Sequence, residues 1–172
     1  ATLLTDGRYR DQAAGELARS GADVGLRIES TDLDGALAEL LDGFAEVGLE
    51  ANAVTWAAQR RYAERRPDVE LVPTVNQVER LRVHKDAGEL ARMETAAAIA
   101  DRALEETVAL LHRGVTERAF ANALDEAMRR LGAEGPSFET IVASGPNGAL
   151  PHARPGGRRI ERGDLVVLDF GA

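Results

Sequence analysis

The chain has 172 residues, a formal net charge of -8 and no cysteine. Its length allows one large domain or two small ones, its acidity argues against the phosphate attraction of a nucleic-acid binder, and its lack of thiols excludes disulfides and thiolate metal sites. No stretch approaches the ~20 apolar residues of a membrane span and no basic region precedes an apolar run near the start, so a soluble protein of the reducing cytoplasm is expected, with neither nucleic acid nor membrane as partner.

The chain opens at Ala1 in an apolar run, Ala1-Thr2-Leu3-Leu4, which reads as a strand already inside a domain and so as an excerpt. Thr2 to Thr5 predicts a strand, Arg8 to Arg19 a helix closed by Gly21, Val24 to Ile28 a strand, and Leu33 to Phe44 a helix. Val47 to Leu49 predicts a short strand, Thr55 to Arg66 a helix stopped by Pro67, and Val69 to Val72 another strand. Alternation at this spacing argues an α/β layer. The charged stretch from Val78 to Lys85 reads as a connector.

Asp86 with Glu89 three residues on is a capping-box start. It opens a helix striped by Leu90, Met93, Ala97, Ala100, Leu104, Val108 and Leu111, which Gly114 ends. Thr116 can cap a second helix, striped by Phe120, Leu124, Ala127 and Leu131 and stopped by Gly132. After Pro136 the pattern turns to strands: Phe138 to Ala143, a loop rich in Gly, Pro and Asn, then Leu165 to Leu168. That last apolar run predicts a strand buried on both faces. The expected division is an α/β module over residues 1–83 and an α,α,β,β unit over 84–172.

Asp169 follows four apolar residues and precedes Phe170-Gly171, which places its carboxylate at a strand end. In the plainest reading it is a turn or cap residue bonding nearby backbone N–H groups; as a metal ligand it is one of several that a hard cation needs. His152, set between Pro151 and Pro155, is a positioned imidazole able to donate to a substrate carbonyl or take a proton near neutral pH, or else a surface loop histidine. His112 beside Arg113 is explained by the dipole at a helix C-terminus, and His84 by the charged connector. Asp169-Phe170-Gly171 also matches a protein-kinase metal tripeptide, but there is no G-x-G-x-x-G loop and His112-Arg113 is followed by Gly114. Asn147-Gly148 signals a tight, hairpin-type turn, and Arg158, Arg159 and Arg162, interleaved with Glu161 and Asp164, read as a solvated loop.

Three blocks in this order closely resemble the M24 metallopeptidases, the family of Xaa-Pro aminopeptidases, Xaa-Pro dipeptidases, methionine aminopeptidases and creatinase. They are Phe138 to Gly145, the loop from Pro146-Asn147-Gly148 through His152 to Pro155, and Gly163-Asp164-Leu165-Val166-Val167-Leu168-Asp169-Phe170-Gly171. Upstream, Leu3 to Tyr9 with Gln12-Ala13 resembles the creatinase/prolidase N-terminal domain, and Leu81-Arg82 to Glu89-Leu90 resembles the junction into the catalytic domain. The N-terminal module favours the Xaa-Pro branch.

The resemblance implies a creatinase/prolidase-like α/β module over 1–83, incomplete at its start, followed over 84–172 by the first half of an α+β pita-bread domain. It implies hydrolysis of the peptide bond before proline at a centre of two divalent metal ions, Mn or Co. Asp169 would be the first metal ligand, and His152 a catalytic, substrate-binding group near the scissile bond. The second Asp, the metal-binding His and two Glu would follow residue 172, so the excerpt alone would be inactive. A homodimer acting on peptides with proline after the scissile bond is implied. Two alternatives stand beside this reading: a pita-bread binding or scaffold protein without metal, and a creatinase-like hydrolase that does not use the metal pair, against which Asp169 counts.

Overall fold

Two parallel strand pairs and one antiparallel pair make up the β structure of the computed structural model, which describes residues 1–172. The chain divides into two units, Ala1–His84 and Lys85–Ala172. No helix is long and apolar enough to cross a membrane.

In the first unit β1 (Thr2–Thr5) pairs in parallel with β2 (Gly25–Ile28). Parallel neighbours need a crossover, and α1 (Arg10–Ser20) supplies it. The chain enters α1 through a 3-10 turn, Gly7–Tyr9, capped by Asp6, and leaves through Gly21 at φ 64°. Glu46–Glu50 (β3) and Glu70–Thr74 (β4) repeat the arrangement around α3 (Trp56–Arg65), where the Thr55 hydroxyl accepts from the Ala58 N–H. Between the two pairs lies α2 (Leu33–Leu40), shorter than the predicted Leu33 to Phe44 because the chain turns at Leu41 and passes through Gly43 at φ 85°. Arginines join the helices: Arg61 to Asp34 at 2.8 Å and Arg65 to Asp32 at 2.9 Å.

The charged stretch expected as a connector is instead helical over α4 (Gln77–Val83). Its charges follow the helix polarity, with Glu79 in the first turn and Arg80 and Arg82 in the last, which the macrodipole favours.

In the second unit α5 (Ala87–Thr107) starts at a complete capping box: the Asp86 carboxylate accepts from the Glu89 N–H and the Glu89 carboxylate from the Asp86 N–H, both at 2.8 Å. A 3-10 segment, Val108–Arg113, carries the chain to Gly114 at φ 66°. α6 (Glu117–Arg130) is the centre of the core, with Phe120, Leu124 and Met128 fully buried against Ala103 and Val142. The predicted α5 stripe holds only in part. Leu90, Met93 and Val108 are exposed, and the buried line runs through Ala103 and Thr107, flanked by Ile99, Ala100 and Leu104, because the core cluster meets only the C-terminal half of the helix.

Antiparallel β5 (Ile141–Ser144) and β6 (Val166–Asp169) close the unit, with Ile141 opposite Asp169 and Ser144 opposite Val166. The expectation that the last strand is buried on both faces is not met. Val166 and Leu168 turn toward the core, while Leu165 and Val167, at 86% and 47% exposure, face solvent, as alternation along a strand packed on one side requires.

Candidate functional site

The site begins at the first turn of α6. Thr116 Oγ1 accepts from the Ala119 N–H at 3.1 Å, which leaves the Glu117 and Arg118 N–H groups without partners inside the helix. They donate to the Arg158 carbonyl at 3.0 Å and the Gly156 carbonyl at 3.1 Å, and the Ile160 N–H donates to the Val115 carbonyl at 2.9 Å. The chain just before β6 is thereby laid along the entry to α6.

Glu117 itself is fully buried. Its Oε1 accepts from the Ser144 N–H and the Ser144 hydroxyl, each at 2.8 Å, and from Asn147 Nδ2 at 3.0 Å; its Oε2 accepts from the Gly156 N–H at 3.1 Å. Burial pushes the Glu117 carboxyl up, but the hydrogen bonds from Ser144, Asn147 and Gly156 together outweigh it and hold the pKa below the ordinary 4.5. A buried carboxylate at the start of a helix is also on the favourable side of the dipole.

Ser144 carries the network outward. Its hydroxyl, while donating to Glu117, accepts from Arg158 Nη1 at 2.6 Å, and Arg158 pairs with Asp164 at 2.6 Å. Asp164 Oδ2 also accepts from the Glu161 N–H at 2.9 Å. Hydrogen bonding from Arg158, with that from the Glu161 N–H, holds the Asp164 carboxyl below its usual range. The expectation of a solvated loop at Arg158 is therefore corrected: its side chain is 27% exposed and that of Asp164 13%. Gly145 fits against this pair at φ 51°, where a Cβ would lie 2.7 Å from both Arg158 Nη2 and Asp164 Oδ1.

Asn147-Gly148 does not form a tight hairpin turn. It lies in a 3-10 turn, Gly145–Ala149, and the Asn147 amide is spent on Glu117. Beyond that turn His152 stands exposed, and its side chain forms no hydrogen bond or ion pair. Asp169 ends β6, exposed on the same face as Val167 and also without a side-chain partner. The structure places both candidates on the β5–β6 segment but makes no bond between them, and nowhere do three His, Asp or Glu side chains converge. Asp169 thus fits one position of a hard-cation site, being a free oxygen donor, and does not make such a site alone. His112 lies in the last turn of the 3-10 segment after α5 and His84 follows α4; neither joins this network.

Sequence reasoning missed Glu117. The only local signal was an acidic residue directly after a Thr cap, which the helix dipole already explains.

The chain matches the sequence pattern of the Creatinase/Prolidase N-terminal domain over residues 1–84 and that of Metallopeptidase family M24 over residues 91–172. It is 38% identical to the uncharacterized peptidase YqhT of Bacillus subtilis across all of this chain and 48% of that protein. Among solved structures it resembles an Xaa-Pro dipeptidase from Bacillus anthracis, with TM-score 0.89 and 34% identity over 98% of this chain and 47% of that one. An X-Pro aminopeptidase from Thermotoga maritima superimposes with TM-score 0.85 and 36% identity over 99% of this chain and 48% of that one. The chain spans about half the length of these relatives.

Proposed function

Because the chain belongs to the M24 metallopeptidase family, joined to a creatinase/prolidase N-terminal domain, we propose that the protein carrying it is a hydrolase that cleaves the peptide bond before proline. The observation that supports this most is likeness along nearly the whole chain to two structures named for Xaa-Pro dipeptidase and X-Pro aminopeptidase activity. Residues 1–83 are read as the N-terminal module and 84–172 as the opening part of the catalytic domain.

In this reading Asp169 offers its carboxylate as one ligand to a pair of divalent cations, Mn or Co. When bound, these would polarise the scissile carbonyl and lower the pKa of the attacking water. His152, free of internal partners, donates a hydrogen bond to the substrate near the scissile bond and stabilises the charge that develops there. An Xaa-Pro bond is a tertiary amide with no N–H to bind, so recognition has to use the carbonyl and the ring. The protein is further proposed to work as a cytoplasmic homodimer.

The test is hydrolysis of an Xaa-Pro dipeptide and an Xaa-Pro-Xaa tripeptide by the intact protein, stripped with chelator and then resupplied with Mn or Co. Metal-restored cleavage supports the reading, and the peptide that is cut names the branch. A folded, metal-loaded protein that cuts neither would overturn it.

A further inference from the structure

The loop that presents His152 leaves β5 after Ser144 and returns to the start of α6 at Gly156. One buried carboxylate holds it at three points: Ser144 at its start, Asn147 in its 3-10 turn and Gly156 at its end. The stretch between, from Leu150 to His152, is exposed and has no such anchor from its side chains. Fixing the two ends of a loop limits what its tip can sample, and an orientation error of an ångström at a catalytic group costs rate.

From this geometry we infer that Glu117 is the positioning residue of the His152 loop: its carboxylate ties Ser144, Asn147 and Gly156 together so that the imidazole meets the substrate in one orientation. The assignment rests on the proposed role of His152. It is specific to a carboxylate, because every partner is a donor. Glutamine at this position keeps the volume but turns an NH2 toward donors already present, so at least one of them loses its acceptor.

Two measurements on the intact protein test it. Hydrogen exchange reads the tether without any need for activity: in E117Q at least one of the Ser144 and Gly156 amides should exchange about tenfold faster or more, while amides in the middle of α6 keep their protection. A double-mutant cycle on kcat/KM for an Xaa-Pro peptide then reads the path of action. E117Q alone should lower kcat about tenfold or more with a smaller effect on KM, but in an H152A background it should add less than about twofold. Should E117Q not fold, N147A removes one anchor without adding a buried donor, and it should show the same pattern more weakly. Exchange unchanged at Ser144 and Gly156 would overturn the tether, and losses that multiply in the cycle would overturn action through His152. If no Xaa-Pro peptide is cleaved at all, the proposed function falls, and with it the catalytic part of this assignment; the exchange result alone then decides the tether.

Discussion

The carboxylate of Glu117 meets the backbone N–H of Ser144 at 2.8 Å, in a fully buried position that joins the first residue of α6 to the last residue of β5. Removing that carboxylate leaves the Ser144 and Gly156 N–H groups and the Asn147 amide without their acceptor in the interior. Glu117→Ala is therefore expected to destabilise the protein by about 2–4 kcal/mol, the range for orphaned buried donors and a lost network. Thermal or urea unfolding of the intact protein checks this, and a loss below about 0.5 kcal/mol would contradict it.

The same carboxylate makes a pH prediction. Its folded pKa lies below the ordinary 4.5, so its stabilisation is complete above that value and is lost as pH falls through the lower folded pKa. Glu117→Gln has no proton to take up. The stability gap between wild type and this variant should be constant near neutrality and narrow as the pH is lowered below 4.5 and through the depressed folded pKa. A gap that widens in acid would mean the sign is wrong.

How much of this was legible in the sequence depends on how local each signal is. In α6 the Thr116 cap, the stripe of Phe120, Leu124 and Ala127 and the Gly132 stop all agree, and the helix was read correctly. α4 was missed because alternating charges without a buried face carry no periodic signal; no residue in it is buried. The run from Leu165 to Leu168 looked buried on both faces, and nothing in an apolar run says which side its neighbours will cover. Glu117 was illegible because its partners lie 27, 30 and 39 residues away, and only the folded chain brings them to it.

Gly145 should not tolerate a side chain. Alanine there would hold φ 51°, a left-handed conformation, and press its Cβ against Arg158 and Asp164. Gly145→Ala is expected to cost about 1–3 kcal/mol and to loosen the Arg158–Asp164 pair. Equilibrium unfolding measures the first effect, and a variant as stable as wild type would show that the backbone can relax around the methyl group.

Replacing His152 tests the role proposed for it separately from that proposed for Asp169. His152→Ala in the intact protein should lower turnover of an Xaa-Pro peptide about 10²–10³-fold, as expected for one lost donor to developing charge, while leaving metal content unchanged. Asp169→Ala should instead lower metal content. Metal analysis beside kinetics checks both, and full turnover without His152 would remove it from the mechanism.

The exposed face of the β5–β6 pair predicts how the 172-residue polypeptide behaves by itself. Leu165 and Val167 are 86% and 47% exposed, and a two-stranded sheet leaves backbone donors and acceptors open along both edges. Apolar side chains beside open edges favour association between copies. Residues 1–172 expressed alone are therefore expected to oligomerise or aggregate in a concentration-dependent way. Replacing Leu165 and Val167 together by Lys should shift the population toward monomer, because neither side chain supports the core face of β6. Light scattering after size exclusion reads both outcomes. A wild-type chain that stays monomeric at high concentration and melts in one sharp transition would mean that this face is soluble as it stands, and the association argument would fail.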